Sequence, residues 1–150
     1  MTYTVNAGIR PYAGACDRER LLDIWLTASR VGHPFLSEDD LASQMQLVGD
    51  VYLPEADNWV IEADGGPAGF IGLLDNFIGG LFVDPAFHGR GLGKRLVLHA
   101  AQLKGALDVE VYADNRDACH FYRCMGFVET ERLAHDDEGR PLAVIRMRRP

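Results

Sequence analysis

Val83-Asp84-Pro85-Ala86-Phe87-His88-Gly89-Arg90-Gly91-Leu92-Gly93-Lys94 is the stretch on which the reading of this chain turns. Before it runs the apolar segment Phe77 to Val83, which predicts a strand, and Gly91 to Lys104 after it predicts a helix. Between them stand three alternating glycines. Glycine lets a backbone come close to a ligand and turn successive N–H groups toward it. The helix start adds the positive end of a dipole, and Arg90, Lys94 and Arg95 add charge around it. Together these features predict a pyrophosphate cradle.

Two better-known phosphate loops fit less well. A Walker loop needs Gly at position 88 and Ser or Thr at 95 to accompany Gly93-Lys94; the chain has His88 and Arg95. A dinucleotide fingerprint finds its first half in Gly89-x-Gly91 or Gly91-x-Gly93, with Glu110 at a suitable distance. Its third glycine falls on Lys94 or Leu96, and Asp84 to His88 separates the strand from the glycines.

The flanking chain predicts a mixed α/β architecture. Thr2 to Arg10 alternates like a strand. Asp17 to Arg30 carries Leu21, Leu22, Ile24, Trp25 and Ala28 on one helical face, and Gly32 and Pro34 predict its end. Ser37 and Asp40 have capping-box spacing ahead of a helix from Glu38 to Val48. Asn58 to Ala63 and Ala68 to Leu74 predict a hairpin about Asp64-Gly65-Gly66. Leu107 to Tyr112 is a valine-rich strand, Asn115 to Met125 a helix stopped by Gly126, and Phe127 to Arg132 and Leu142 to Arg148 closing strands. Strand 77–83, helix 91–104 and strand 107–112 form one parallel crossover. A chain of 150 residues, 47% of them apolar, fits a single domain spanning 1–150.

The quoted loop resembles the acetyl-CoA-binding motif of the GNAT superfamily, Val-x-Pro-x-x-(Arg/Gln)-Gly-x-Gly-x-Gly/Ala. His88 stands where Arg or Gln is common. Downstream, Asn115-x-x-Ala118-x-x-Phe121-Tyr122-x-x-x-Gly126-Phe127 resembles that family's second signature. The resemblance covers the chain from about Val60 onward. It implies the GNAT fold, a twisted mixed sheet of about seven strands with helices on both faces, and an acetyl-CoA-dependent N-acetyltransferase; homodimers are frequent in that family. Leu81, Phe82 and Val83 would line pantetheine, and His88, Gly89, Arg90, Gly91, Leu92, Gly93 and Lys94 would hold the pyrophosphate. Asn115 would bond the pantetheine arm or cap its helix. Tyr122 would protonate the departing thiolate; Phe121 and Phe127 are expected in the core.

The general base stays open. Phe77-Ile78-Gly79-Gly80-Leu81 has no acid where many family members carry one, leaving Asp75, Asn76, His33 and Glu62 as alternatives. His33 and Phe35, with Asp75 and Asn76, form the expected acceptor side; Tyr52 and Trp59 are further pocket or core aromatics. The net charge of −7 argues against a nucleic-acid partner. Residues 1–75 hold 12 acids against 4 bases, which points to a cationic small-molecule or peptide amine. Neither a membrane span nor a signal peptide is evident, so a cytoplasmic location is expected. His120 and Cys124 share a helix face, but no second ligand pair has metal spacing, and no metal is expected. The alternative to an enzyme is a weakly catalytic acyl-CoA-sensing module.

Overall fold

The computed structural model describes residues 8–150. The predicted first strand appears there as β1 (Ile9–Pro11); its earlier part lies outside the described residues. Then follow α1 (Gly14–Gly32), α2 (Glu38–Leu47), a π-helical turn (Val48–Tyr52) and α3 (Leu53–Glu55). The hairpin strands are β2 (Asp57–Ala63), β3 (Gly66–Leu74) and β4 (Phe77–Val83). After a 3₁₀ turn (Pro85–Phe87) come α4 (Leu92–Lys104), β5 (Leu107–Tyr112), α5 (Arg116–Cys124), β6 (Val128–Leu133) and β7 (Val144–Arg149).

The strands form one seven-stranded sheet in the order β1-β2-β3-β4-β5-β7-β6. All its neighbours are antiparallel except β4 and β5. Ala63 pairs with Gly66 across Asp64-Gly65, both at positive φ (54° and 89°), as a two-residue hairpin of this twist requires. A second two-residue turn, Asp75-Asn76, joins β3 to β4, with Asp75 at φ 53°.

Each face of the sheet carries a core. On one, α4 lays down Leu92, Leu96, Val97 and Ala100 with α5's Cys119 and Tyr122, over Ile61, Ile71 and Val109. On the other, α1 supplies Leu21, Leu22, Ile24 and Trp25 over Val60 and Phe70. A buried Leu or Val of this kind contributes about 1.5–3 kcal/mol. α1 departs from expectation by running through Gly32; His33 then ends it, its N–H bonding Ser29 O at 2.7 Å. The Ser37–Asp40 capping box forms as predicted.

α2 also runs on past Val48 into the π-turn and α3, an extension the sequence did not predict. Its causes are tertiary. Val48 and Leu53 are buried, and the buried Asn58 amide donates to the carbonyls of Tyr52, Leu53 and Ala56 at 3.1, 2.9 and 3.2 Å.

One irregularity shapes the centre of the sheet. Gly72 pairs with Gly80 but Leu73 with Ile78, so Gly79 is an extra residue in β4. A bulge bends its strand and ends pairing. β4 and β5 accordingly meet only at Phe77–Asp108 and Ile78–Val109. Beyond Ile78 they separate, and among the described residues no strand pairs with that edge of Gly79–Val83.

Candidate active site

The gap left by the parting strands opens into a cavity of about 900 Å³. One wall is β4, including Gly79, Gly80, Leu81, Phe82 and Val83; the opposite wall is β5, from Val109 to Tyr112. The N-termini of α4 and α5 and residues of α1, α2 and the π-turn complete the lining.

At the glycine loop, the backbone sets the local geometry. Gly91 is the N-cap of α4 at φ 76°, a left-handed conformation that favours glycine, and Gly89 has φ 83°. No side chain caps α4, and its first internal bond is Arg95 N–H to Gly91 O at 3.1 Å. The preceding helix-start amides therefore keep their donors for another acceptor. Gly93 faces Phe121: a Cβ placed there would lie 3.5 Å from the Phe121 ring.

Eleven of the twelve cofactor-side residues predicted from the sequence line this cavity: Leu81, Phe82, Val83, His88, Gly89, Gly91, Leu92, Gly93, Lys94, Asn115 and Tyr122. Arg90 does not. Its guanidinium sits 4.9 Å over the Phe87 ring and bonds Asp64 at 3.1 Å, on the outside of the loop. The basic side chain at the lining is instead Lys94, which makes no ion pair among the described residues. His88 turns its Nε2 to Val83 O at 3.1 Å and so ties the loop to the end of β4.

Tyr122, on α5, is 5% exposed and lines the cavity. Its hydroxyl has no hydrogen-bond partner among the described residues, and burial pushes its acidity constant above the usual phenol value of 10. The group is thus protonated at neutral pH and able to donate. Asn115 Oδ1 accepts from Ala118 N–H at 3.2 Å, capping α5, while its amide packs against Gly32, where a Cβ would lie 3.1 Å from Nδ2. Phe121, expected in the core, lies partly buried at the lining; Phe127 is fully buried.

The expected acceptor-side residues do not all meet at the cavity. Of His33, Phe35, Asp75 and Asn76, only His33 lines the cavity. Asp75 and Asn76 form the β3–β4 turn, and the Asn76 amide bonds Asp108 at 3.1 Å. Phe35 stands behind the wall, edge-on to Tyr112 and tilted against His33, with centroids 5.1 and 5.5 Å away. Glu62 pairs with Arg10 at 3.2 Å, away from the cavity. Trp59 packs against His99, ring centroids 4.5 Å apart, away from this lining, whereas Tyr52 does line it. Burial pushes the His33 imidazole down to about 4, so it is neutral at pH 7.

Several lining residues were missed. Tyr112 donates to Asp136 at 2.8 Å; Arg140 bonds Asp136 at 3.1 Å, Asp40 at 3.0 Å, and Glu138. This network fastens the β6–β7 loop to the start of α2. Burial alone would raise the Asp136 carboxyl, but hydrogen bonds from Tyr112 and Arg140 hold it below the usual range. Glu110, Asp117, Asp137 and Glu138 also line the cavity. Glu110 pairs with Arg146, and Asp136 and Glu138 pair with Arg140, so the negative charge without a cation among the described residues, Asp117 and Asp137, comes from the second half of the chain, not from the acidic first half. Alternation in Leu107–Tyr112 was the available signal: it sets Asp108, Glu110 and Tyr112 on one face.

No cysteine lines the cavity. Among the described residues, no group of three or more His, Cys, Asp or Glu side chains is arranged to hold a metal, and no helix is long and apolar enough to cross a membrane.

Comparison with known proteins gives the same picture from another side. Residues 54–129 match the family model described as an acetyltransferase (GNAT) domain. The chain is 39% identical over 130 residues to the peptidyl-lysine N-acetyltransferase YjaB of Salmonella typhimurium, covering 86% of this chain and 89% of that one. It is 38% identical over 108 residues to the peptidyl-lysine N-acetyltransferase YiaC of Escherichia coli, covering 71% and 74%. The solution structure of apo-form YjaB from Escherichia coli superposes with a TM-score of 0.85 at 33% identity, over 94% and 95% of the two chains. The parted strands, the glycine loop at the helix start and these matches agree: the chain belongs to the GNAT superfamily of N-acetyltransferases.

Proposed function

We propose that the protein transfers an acetyl group directly from acetyl-CoA to the side-chain amine of a lysine in a polypeptide. The observation that carries this reading is the unpaired edge of Gly79–Val83, which leads to the uncapped start of α4. An extended arm bearing amides and ending in a pyrophosphate fits such a slot: strand-like pairing along β4, then phosphate against helix-start amides. The names of the relatives YjaB and YiaC support lysine as acceptor, and the carboxylates along the wall favour a cationic group.

In the reaction, the neutral amine attacks the thioester carbonyl carbon, the carbon–sulfur bond breaks, and Tyr122 gives its phenolic proton to the departing sulfur. The ammonium proton passes to water. His33 accepts a hydrogen bond from the amine and orients it; an imidazole pushed down to about 4 holds a proton too weakly to serve as its store at pH 7. With no thiol along the cavity, transfer needs no acetyl-cysteine stage.

The test is a lysine-containing peptide incubated with acetyl-CoA and the enzyme. Free CoA thiol and acetylated peptide are expected to accumulate in equal amounts. Acetyl-CoA binding with no thiol release on any amine would overturn the reading in favour of a sensing module.

A further inference from the structure

Seven large apolar side chains are exposed among the described residues. Four of them, Val31 (60% exposed), Leu47 (41%), Tyr52 (48%) and Leu74 (42%), line the one cavity described above. They come from α1, α2, the π-turn and β3. Leu74 adjoins the turn into β4, whereas the phosphate loop follows the other end of that strand. Seven residues of strand separate the two ends by about 20 Å. Leu74 thus belongs to the end of the cavity far from the phosphate loop, whereas Val31, next to Gly32, lies toward Asn115. Clustered exposure of this kind marks a surface that is covered in use.

The lip is also held in place. The three carbonyls bound by Asn58, itself 6% exposed, include that of Tyr52. At the same cavity Asp137 has no partner among the described residues, so a carboxylate accompanies the apolar patch.

Resting on the lysine-acceptor reading, we propose that this lip binds a large apolar side chain next to the acceptor lysine in the target polypeptide. Charge complementarity chooses the occupant. A lysine amine meets the negative wall, while its apolar neighbour covers Leu47, Tyr52 and Leu74. A second copy of this chain would leave those carboxylates unanswered, and a free polyamine would leave the lip bare. Side-chain discrimination in an apolar pocket runs from about 10- to 200-fold, and a half-open lip belongs at the lower end.

The experiment uses peptides that carry one lysine and differ only in whether its neighbour is Leu or Ser, with spermidine as an acceptor that carries no apolar side chain. The wild type is expected to favour the Leu peptide about tenfold in kcat/KM, mainly through KM. The double variant Leu47→Ser, Leu74→Ser is expected to lose that preference, with acetyl-CoA affinity unchanged. Equal rates on both peptides, or a preference that survives in the double variant, would overturn the inference alone. Acetylation of spermidine and of no peptide would overturn the lysine-acceptor reading along with it.

Discussion

Replacing Gly91 by Asp separates the phosphate loop's role in binding from its role in folding. A Cβ at this position meets no atom of the described residues within 4 Å apart from its own chain neighbours, so the folded chain has room for it. The structural cost is the left-handed backbone at φ 76°, about 1–2 kcal/mol for a side chain other than glycine. An acid at a helix start returns about 0.3–1 kcal/mol through the dipole. The net effect is at most about 1–2 kcal/mol; at about 2–4 °C per kcal/mol for a domain of this size, Tm falls by only a few degrees.

Binding carries a larger penalty. A carboxylate about 5 Å from a phosphate charge, at an effective dielectric of about 20, opposes it by about 3 kcal/mol, or about a hundredfold in Kd. Calorimetric titration of acetyl-CoA into wild type and Gly91→Asp measures this directly, with thermal unfolding as the control for folding. The loss is expected to shrink in high salt, because screening weakens a charge effect but leaves a steric one. A Kd within about threefold of wild type, with a Tm showing the variant folded, would mean that the phosphates do not sit on these amides.

Other perturbations address the rest of the site. Tyr122→Phe removes a hydroxyl that holds no hydrogen bond among the described residues, so Tm and acetyl-CoA Kd stay put while kcat falls by about 10²–10⁴; unchanged kcat would eliminate Tyr122 as the proton donor. His33 is neutral in the fold, with its pKa lowered to about 4, and titrates near 6.5 when unfolded, so the unfolded chain binds more protons between those values. Its stabilising contribution is present above pH 6.5 and is lost as pH falls toward 4, amounting to about 2 kcal/mol at pH 5. His33→Gln is therefore expected to flatten the acid side of the stability curve, measured by urea unfolding from pH 7 to 4.5. Arg140→Ala strands the nearly buried Asp136 without its cation and is expected to lower stability by about 1–3 kcal/mol while raising KM for the acceptor more than that for acetyl-CoA.

The parts of the fold legible in the sequence were those with local causes. The run Leu21, Leu22, Ile24, Trp25 marked the buried face of α1, Ser37 and Asp40 marked the start of α2, and Asp64-Gly65 marked a hairpin. The extension of α2 had no such mark. Asn58 draws Tyr52, Leu53 and Ala56 inward, and Gly49 lies so close to Arg18 that a Cβ would stand 2.7 Å from its guanidinium. Both contacts join segments the local pattern treats as independent. The place of β7 between β5 and β6 is likewise decided by pairings such as Glu110–Arg146, on strands distant in sequence.

The same distinction runs through the site. The glycine loop could be read because the binding proposed for it depends on backbone: amides at a helix start and glycines at positive φ, all within one short segment. Arg90 shows the limit of that reading, since the segment's chemistry placed it at the ligand while Asp64 and Phe87 hold its side chain outside. The acceptor wall could not be read, because side chains from well-separated segments make it; Arg140 and Asp40 meet across 100 residues. Different tolerances follow from the two constructions. At the loop, a substitution away from glycine strains the backbone or blocks the approach of phosphate, whatever side chain is chosen. At the wall, exchanging Leu47, Leu74 or Asp137 leaves the parted strands and the helix start intact and alters only what meets the amine. Divergence within this fold is therefore expected to change the acceptor first and the acyl donor last.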